Sequence, residues 1–243
     1  MLIGTHRIFS DVDVLASALA REFLEDAAER LRAQPFVTLA LAGGRTPRAI
    51  YEQWCTLSPE YWKRIHIFWG DERCVPPQDT ASNFKMAEEA FLQPLQIAGS
   101  RVHRMRGESD PAVEASRYQE DILNTVTVDG AGMPQFDWIL LGVGTDGHTA
   151  SLFPHSHAVL ERKALCLATT HPESGQRRLT LTMPVLNNAH RIALIATGEE
   201  KAGILRTLSD ISSPTAMYPA SLVMPVHGLL EWWMDEACFL PAR

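Results

Sequence analysis

Residues 138–154 read WILLGVGTDGHTASLFP. Four apolar residues of strand character stop at Gly142, with Gly144 and Gly147 close behind. An acid, a histidine and two hydroxyls (Asp146, His148, Thr149, Ser151) follow, and Pro154 closes the segment. A strand buried on both faces reads as an unbroken apolar run. When such a run ends in glycines and then offers polar side chains, an α/β protein is presenting chemistry at the carboxyl edge of its sheet.

The pattern repeats outward from this segment. Residues 36–42 (FVTLALA) run into Gly43-Gly44-Arg45-Thr46-Pro47, and residues 65–69 (IHIFW) into Gly70-Asp71-Glu72-Arg73. Residues 190–197 (HRIALIAT) run into Gly198-Glu199-Glu200-Lys201. Further strands are expected over 6–9, 101–105, 164–168, 179–182 and 228–234. Helical spacing is clearest over 11–34, where Leu15, Leu19, Phe23, Ala27 and Leu31 form one apolar row, Ser10 or Asp11 can cap the start and Pro35 stops the end. Helices are also expected over 84–92, opened by Ser82 or Asn83, over 110–126, over 184–188, after Lys201, and from Asp235 onward. Thr46 suits an N-cap with Pro47 first in its helix, residues 70–83 read as a long loop, and residues 214–225 as irregular. Alternating strands and helices predict an α/β fold, a mostly parallel sheet covered on both faces, with residues 1–243 as one domain.

Composition narrows the function classes. The chain of 243 residues carries 22 basic against 29 acidic side chains, a net charge of −7, so non-specific binding to nucleic acid or an anionic membrane is not expected. An anionic ligand would therefore need local basic groups. Four scattered cysteines with no CxxC pair fit reduced thiols, and no apolar run has signal-peptide or membrane-spanning length, so a cytoplasmic protein is expected.

His148 is the leading catalytic candidate, because an imidazole near neutrality serves as general base. Asp146 is placed to orient it; the alternative is a histidine satisfying a turn carbonyl. Gly43 and Gly44 with the following helix start either cradle an anion or merely turn the chain. Asp71, Glu72 and Arg73 are either a solvated cluster or part of a site, and their place after a buried strand favours the site. Arg73, Arg178 and Lys201 beside strand ends suggest a phosphate pocket. Gly142, Gly144 and Gly147 match GxGxxG, but Pro154 leaves no room for the helix a dinucleotide site needs. No Walker A, HExxH or GxSxG motif is present, and no metal or cofactor is expected.

Taken together, GGRTP (43–47), GDERCVPPQDTASN (70–83) and GVGTDGHTASLFP (142–154) resemble the 6-phosphogluconolactonases. RLTLTMPVLN (178–187), TGEEK (197–201) and PAS (219–221) extend the likeness in the family's order. The resemblance implies a three-layer α/β/α domain with a modified Rossmann-like sheet. It implies metal-independent hydrolysis of 6-phospho-D-glucono-1,5-lactone, the second step of the oxidative pentose phosphate pathway. The partner it implies is a small phosphorylated sugar lactone, and the chain is expected as a monomer or small homo-oligomer. His148 takes the catalytic position. The phosphate-binding groups fall on Arg73, Arg178 and Lys201, with Gly43, Gly44, Arg45 and Thr46 forming the turn and Asp71 beside Arg73. Thr145 and His155 depart from the family pattern, His155 where a glycine often stands. A sugar-phosphate deaminase of the same superfamily carries a glutamate where this chain has Phe153. A non-catalytic sugar-phosphate sensor would usually add a DNA-binding module.

Overall fold

Strand alternation sorts the interior into two layers. In the computed structural model, which describes residues 2–57, 60–210 and 218–239, the strand Trp138–Gly142 (β5) sends Ile139 and Leu141 to one core, and Trp138 and Leu140 to the other. The strand Arg191–Ala196 (β8) divides in the same way, Ile192 and Leu194 against Ala193 and Ile195. Both faces of the sheet are therefore dry, which is why these strands lack an alternating polar pattern.

The remaining strands of the main sheet are Thr5–Phe9 (β1), Val37–Leu41 (β2), Ile65–Trp69 (β3) and Leu229–Asp235 (β9). Their order is β1-β9-β8-β5-β2-β3, and every pair is parallel. One face is covered by the helices Val12–Ala33 (α1) and Arg45–Leu57 (α2). The other is covered by Pro111–Thr125 (α4) and Ala202–Ser209 (α6). The expected α/β/α layering with a mostly parallel sheet is thus the observed one. The apolar row of α1 is buried as its spacing required, and Asp11 caps the helix by accepting from Val14 N–H at 2.9 Å.

A second sheet was not legible in the sequence. Asp71–Arg73 (β4), Cys166–Thr170 (β6) and Arg177–Leu181 (β7) form an antiparallel sheet in the order β4-β7-β6. The stretch read as a loop from Gly70 therefore begins as a strand. It continues to the short helix Asn83–Ala87 (α3), which Ser82 caps and which runs on as a wider turn over Glu88–Leu92. The helix Met183–Leu186 (α5) follows β7.

Other expectations are corrected. Residues 101–105 form no strand; a 3-10 turn spans Gly99–Arg101 and Val102 makes a single bridge to Ile67. Helix α2 begins at Arg45, so Thr46 lies inside its first turn and is not the cap. After β9 only a 3-10 turn, Glu236–Phe239, is present, and residues 240–243 lie outside the described residues. Of the irregular stretch 214–225, residues 214–217 also lie outside them, while Pro219–Leu222 is a 3-10 turn. No described helix is long and apolar enough to cross a membrane.

The outer side of β3 carries a relay whose proton positions follow from its ends. Asp121 can only accept, so His103 donates through Nδ1 at 2.8 Å. His103 Nε2 then accepts from His66 Nδ1 at 2.8 Å, and His66 Nε2 accepts from the Arg101 guanidinium. Burial first, then the Arg101 charge, pulls His66 down to about 4, against the opposing pull of Asp121. In the unfolded chain a histidine takes its proton near ~6.5. Between those values the unfolded state holds the extra proton, so stability is full above ~6.5 and is lost as pH falls towards 4. Urea midpoints are expected to drop from pH 7 to pH 5, with a smaller drop in His66→Gln; equal drops would contradict the relay's role.

Candidate active site

The site lies where the main sheet changes direction. From β2 the chain moves to β3 on one side and reaches β5 on the other, so the carboxyl ends of β2 and β5 splay around a crevice. Four adjacent strand ends, those of β3, β2, β5 and β8, deliver their loops there. The resulting cleft is lined by Gly43, Gly70, Asp71, Arg73, Asn83, Gly142, Gly144, His148, Ala150, Arg178 and Lys201, together with apolar ends of β2 and β5. Its volume is about 190 Å³, room for a ligand of hexose size, and it opens to solvent. No helix starts at Gly147, and the loop folds back on itself through Val143–Thr149 and Thr149–Leu152 bridges.

His148 is held by its own loop. Gly144 N–H donates to the His148 carbonyl at 2.8 Å, and Gly147 N–H donates to the Gly144 carbonyl at 2.9 Å. A Cβ on Gly144 would sit 2.1 Å from His148 Nδ1, so only glycine lets the ring lie there. His148 Nδ1 is 2.6 Å from Asp146 Oδ1, which also accepts the His148 backbone N–H at 3.1 Å. Burial opposes ionisation of Asp146, but the His148 hydrogen bond and charge outweigh it and hold the carboxyl below its ordinary range. A carboxylate only accepts, so Nδ1 carries the hydrogen of that bond and Nε2 is the ring nitrogen left to exchange a proton.

The basic groups come from the small sheet. Arg73 and Arg178 are directly opposite each other in the β4–β7 ladder. Like charges in that position repel, and burial together with the Arg73 charge pulls the Arg178 guanidinium below its ordinary value. The Nε atoms of both arginines are buried and have no hydrogen-bond partner among the described residues. An anion in the cleft would offset the repulsion between the two guanidinium groups. Asp71, on the same face, lies 3.9 Å from Arg178, close enough to offset charge and too far for a hydrogen bond.

Glu72, on the opposite face, belongs to the scaffold and not to a solvated cluster. Its carboxylate accepts the backbone N–H groups of Arg73, Asn83 and Phe84, each at 2.7 Å, and the Ser82 hydroxyl at 3.1 Å. It thereby ties β4 to the start of α3. Burial pushes its carboxyl up in spite of those donors.

The Gly43–Thr46 turn divides. Gly43 lines the cleft, whereas Gly44, Arg45 and Thr46 do not. The Arg45 side chain is 97% exposed and pairs with Glu200 at 3.5 Å, and the Thr46 and Thr197 hydroxyls meet at 2.6 Å. These two contacts join the starts of the β2 and β8 loops, which carries Lys201 into the cleft. Lys201 has no ion-pair partner among the described residues. Asn83 and Ser151 were not anticipated as part of the site. Asn83 packs so close that a Cβ on Gly43 would lie 2.0 Å from its Oδ1, and its Nδ2 donates to the Asp71 carbonyl at 2.9 Å. A buried asparagine opposite a glycine is a signal that appears only once the two loops are brought together. Among the described residues, no group of three His, Cys, Asp or Glu side chains is placed to hold a metal ion.

Residues 10–232 match the family described as glucosamine-6-phosphate isomerases/6-phosphogluconolactonase. The chain belongs to this family. A 6-phosphogluconolactonase from Treponema pallidum is 42% identical over 238 residues, covering 96% of this chain and 92% of the relative. One from Haemophilus influenzae is 38% identical over 205 residues, covering 83% and 85%. The solved structure of 6-phosphogluconolactonase from Trypanosoma brucei superposes with a TM-score of 0.87 at 26% identity, covering 98% of both chains.

The backbone at His155, where the resemblance implies a glycine, has a physical reading. His155 has φ +62°, the left-handed region that costs a side-chain-bearing residue ~1–2 kcal/mol. Glycine removes that cost but adds unfolded-state entropy of about 0.5–1 kcal/mol. His155→Gly is therefore expected to stabilise by up to about 1 kcal/mol, a gain of ~2–4 °C in a melting scan. A lower melting temperature would show that the ring makes a contact worth more than the strain.

Proposed function

We propose that this chain hydrolyses 6-phospho-D-glucono-1,5-lactone, with His148 as general base. The observation that carries the reading is an imidazole whose Nδ1 is committed to Asp146, in a cleft that also holds two arginines with unpaired Nε atoms. The 6-phosphate would dock on Arg178 and Lys201 beside the Gly43 turn, with Arg73 on the phosphate or sugar. That anchoring sets the lactone carbonyl beside His148. Nε2 takes a proton from water as its oxygen attacks C1. The ring C–O bond then breaks and the proton passes to the leaving alkoxide. Asp146 holds the tautomer and stabilises the imidazolium. The names of the relatives support this reading, and four free thiols suit a reducing, cytoplasmic setting.

The deaminase alternative is disfavoured at one position. The Phe153 ring is buried and lies 5.0 Å from the His148 ring, where that chemistry would call for a carboxylate. The test is lactone hydrolysis in an assay coupled to glucose-6-phosphate oxidation, with glucosamine-6-phosphate as control substrate. Acceleration of lactone opening without ammonia release is the expected result. Ammonia release from the amino sugar would favour the deaminase, and ligand binding without turnover the sensor.

A further inference from the structure

Ser151 links the His148 loop to the arginine pair. It is fully buried, its hydroxyl donates to Asp71 Oδ2 at 2.6 Å, and its backbone N–H donates to Thr180 Oγ1 at 3.2 Å. In the β4–β7 ladder Thr180 stands opposite Asp71, and Arg178 opposite Arg73. One serine, three positions after His148, thus docks on the rungs of the small sheet that carry the basic groups.

The charge arrangement gives this contact a purpose. A carboxylate beside a guanidinium normally closes to a bidentate pair at hydrogen-bond distance. Here the nearest Asp71 oxygen lies 3.9 Å from Arg178; that same oxygen accepts from Ser151 and the other meets Asn83 Nδ2 at 3.3 Å, two bonds from elsewhere that fix where the carboxylate stands. The carboxylate lessens the repulsion between the two arginines without using up the donors an anion needs. Asp71, expected from the sequence to touch substrate, then acts through Arg178. We infer that Ser151 is a positioning residue: by holding Asp71 off Arg178 it keeps the guanidinium available to an anion. The inference rests on the anion-binding role proposed above for Arg178.

In Ser151→Ala, Asp71 loses its shortest hydrogen bond and its nearest charged donor is Arg178. Affinity for inorganic phosphate and for 6-phosphogluconate, measured by calorimetry, is expected to fall roughly tenfold. KM for the phosphorylated lactone should rise by a similar factor, while KM for unphosphorylated glucono-lactone moves little. Ser151→Thr restores the hydroxyl and should recover most of the affinity. Ser151→Cys keeps the volume with a weak donor and should follow alanine, which also covers an alanine variant that does not fold. A purely structural serine would lower thermal stability and impair both lactones alike; that result, or wild-type phosphate affinity in the alanine and cysteine variants, overturns the inference. If the wild-type chain binds phosphate but hydrolyses no lactone, the proposed function falls while the phosphate comparison still decides the role of Ser151. A wild-type chain that binds no phosphate overturns both.

Discussion

Replacing His148 by alanine is expected to lower kcat for lactone hydrolysis by ~10²–10⁴-fold, the usual contribution of a positioned general base. KM should change little, because the anchoring groups belong to other loops. The variant should fold. The loop is closed by the backbone bonds Gly144 N–H to His148 carbonyl and Gly147 N–H to Gly144 carbonyl, and neither uses the imidazole. The His148 side chain is 31% exposed, so its loss opens no core cavity. Asp146→Ala should fall short of this effect, since it leaves the base in place and removes only what fixes its tautomer. Steady-state kinetics on the two variants, with circular dichroism to confirm folding, checks the order. A folded His148→Ala enzyme with full turnover would remove His148 from the mechanism and leave Asp146 without a role.

How far the sequence reveals this site depends on where burial comes from. Residues 138–142, 36–42, 65–69 and 190–197 are apolar because both faces of a parallel strand are dry, so the strands and the glycine turns after them are readable from composition alone. His148 is readable for the same reason, standing in the polar run that follows one of those strands. The small sheet is not. Its first strand is Asp-Glu-Arg, a local pattern with the look of a solvated cluster, and it becomes a strand only because β7, a hundred residues further on, supplies the ladder. Glu72 is buried because the first turn of α3 supplies its donors. No local rule anticipates Arg73 facing Arg178, or Ser151 meeting Asp71, since each depends on that long-range register. Arg45 errs in the other direction: it belongs to a recognisable motif, yet its side chain goes to solvent.

Phe153 is the position at which the proposed lactonase reading and the deaminase alternative part. Its ring lies between His148 and His171, with centroids 5.0 Å and 4.9 Å away, and it is buried. An apolar wall on that side of the imidazole offers no acid or base there, which agrees with the proposed reading, in which proton transfer is left to the Asp146–His148 pair. Hydrolysis of a lactone asks for no more than that: one proton removed from water and returned to the leaving oxygen.

Arg178→Ala is expected to act on binding and barely on chemistry. A hydrogen bond to a charged group contributes ~1.5–3 kcal/mol, so KM for the phosphorylated lactone should rise ~10–150-fold. The phosphate is unchanged in the reaction, so kcat should fall far less. Stability supplies an independent reading. In the free protein Arg73 and Arg178 stand opposite each other in the ladder with both Nε atoms unpaired, a like-charge pair whose repulsion a bound anion would relieve. Ligand at a hundred times its Kd would add ~2.7 kcal/mol, about 5–10 °C of melting temperature for a chain of this size. Wild-type protein should therefore gain that increment with 6-phosphogluconate, and Arg178→Ala should lose about half of it or more at the same concentration. Without ligand the variant should melt close to the wild type, because the lost packing is offset by relief of repulsion at Arg73. An unchanged KM together with an unchanged ligand increment would mean that the arginine pair is not the phosphate pocket, and would return the anchoring to Lys201 and the Gly43 turn.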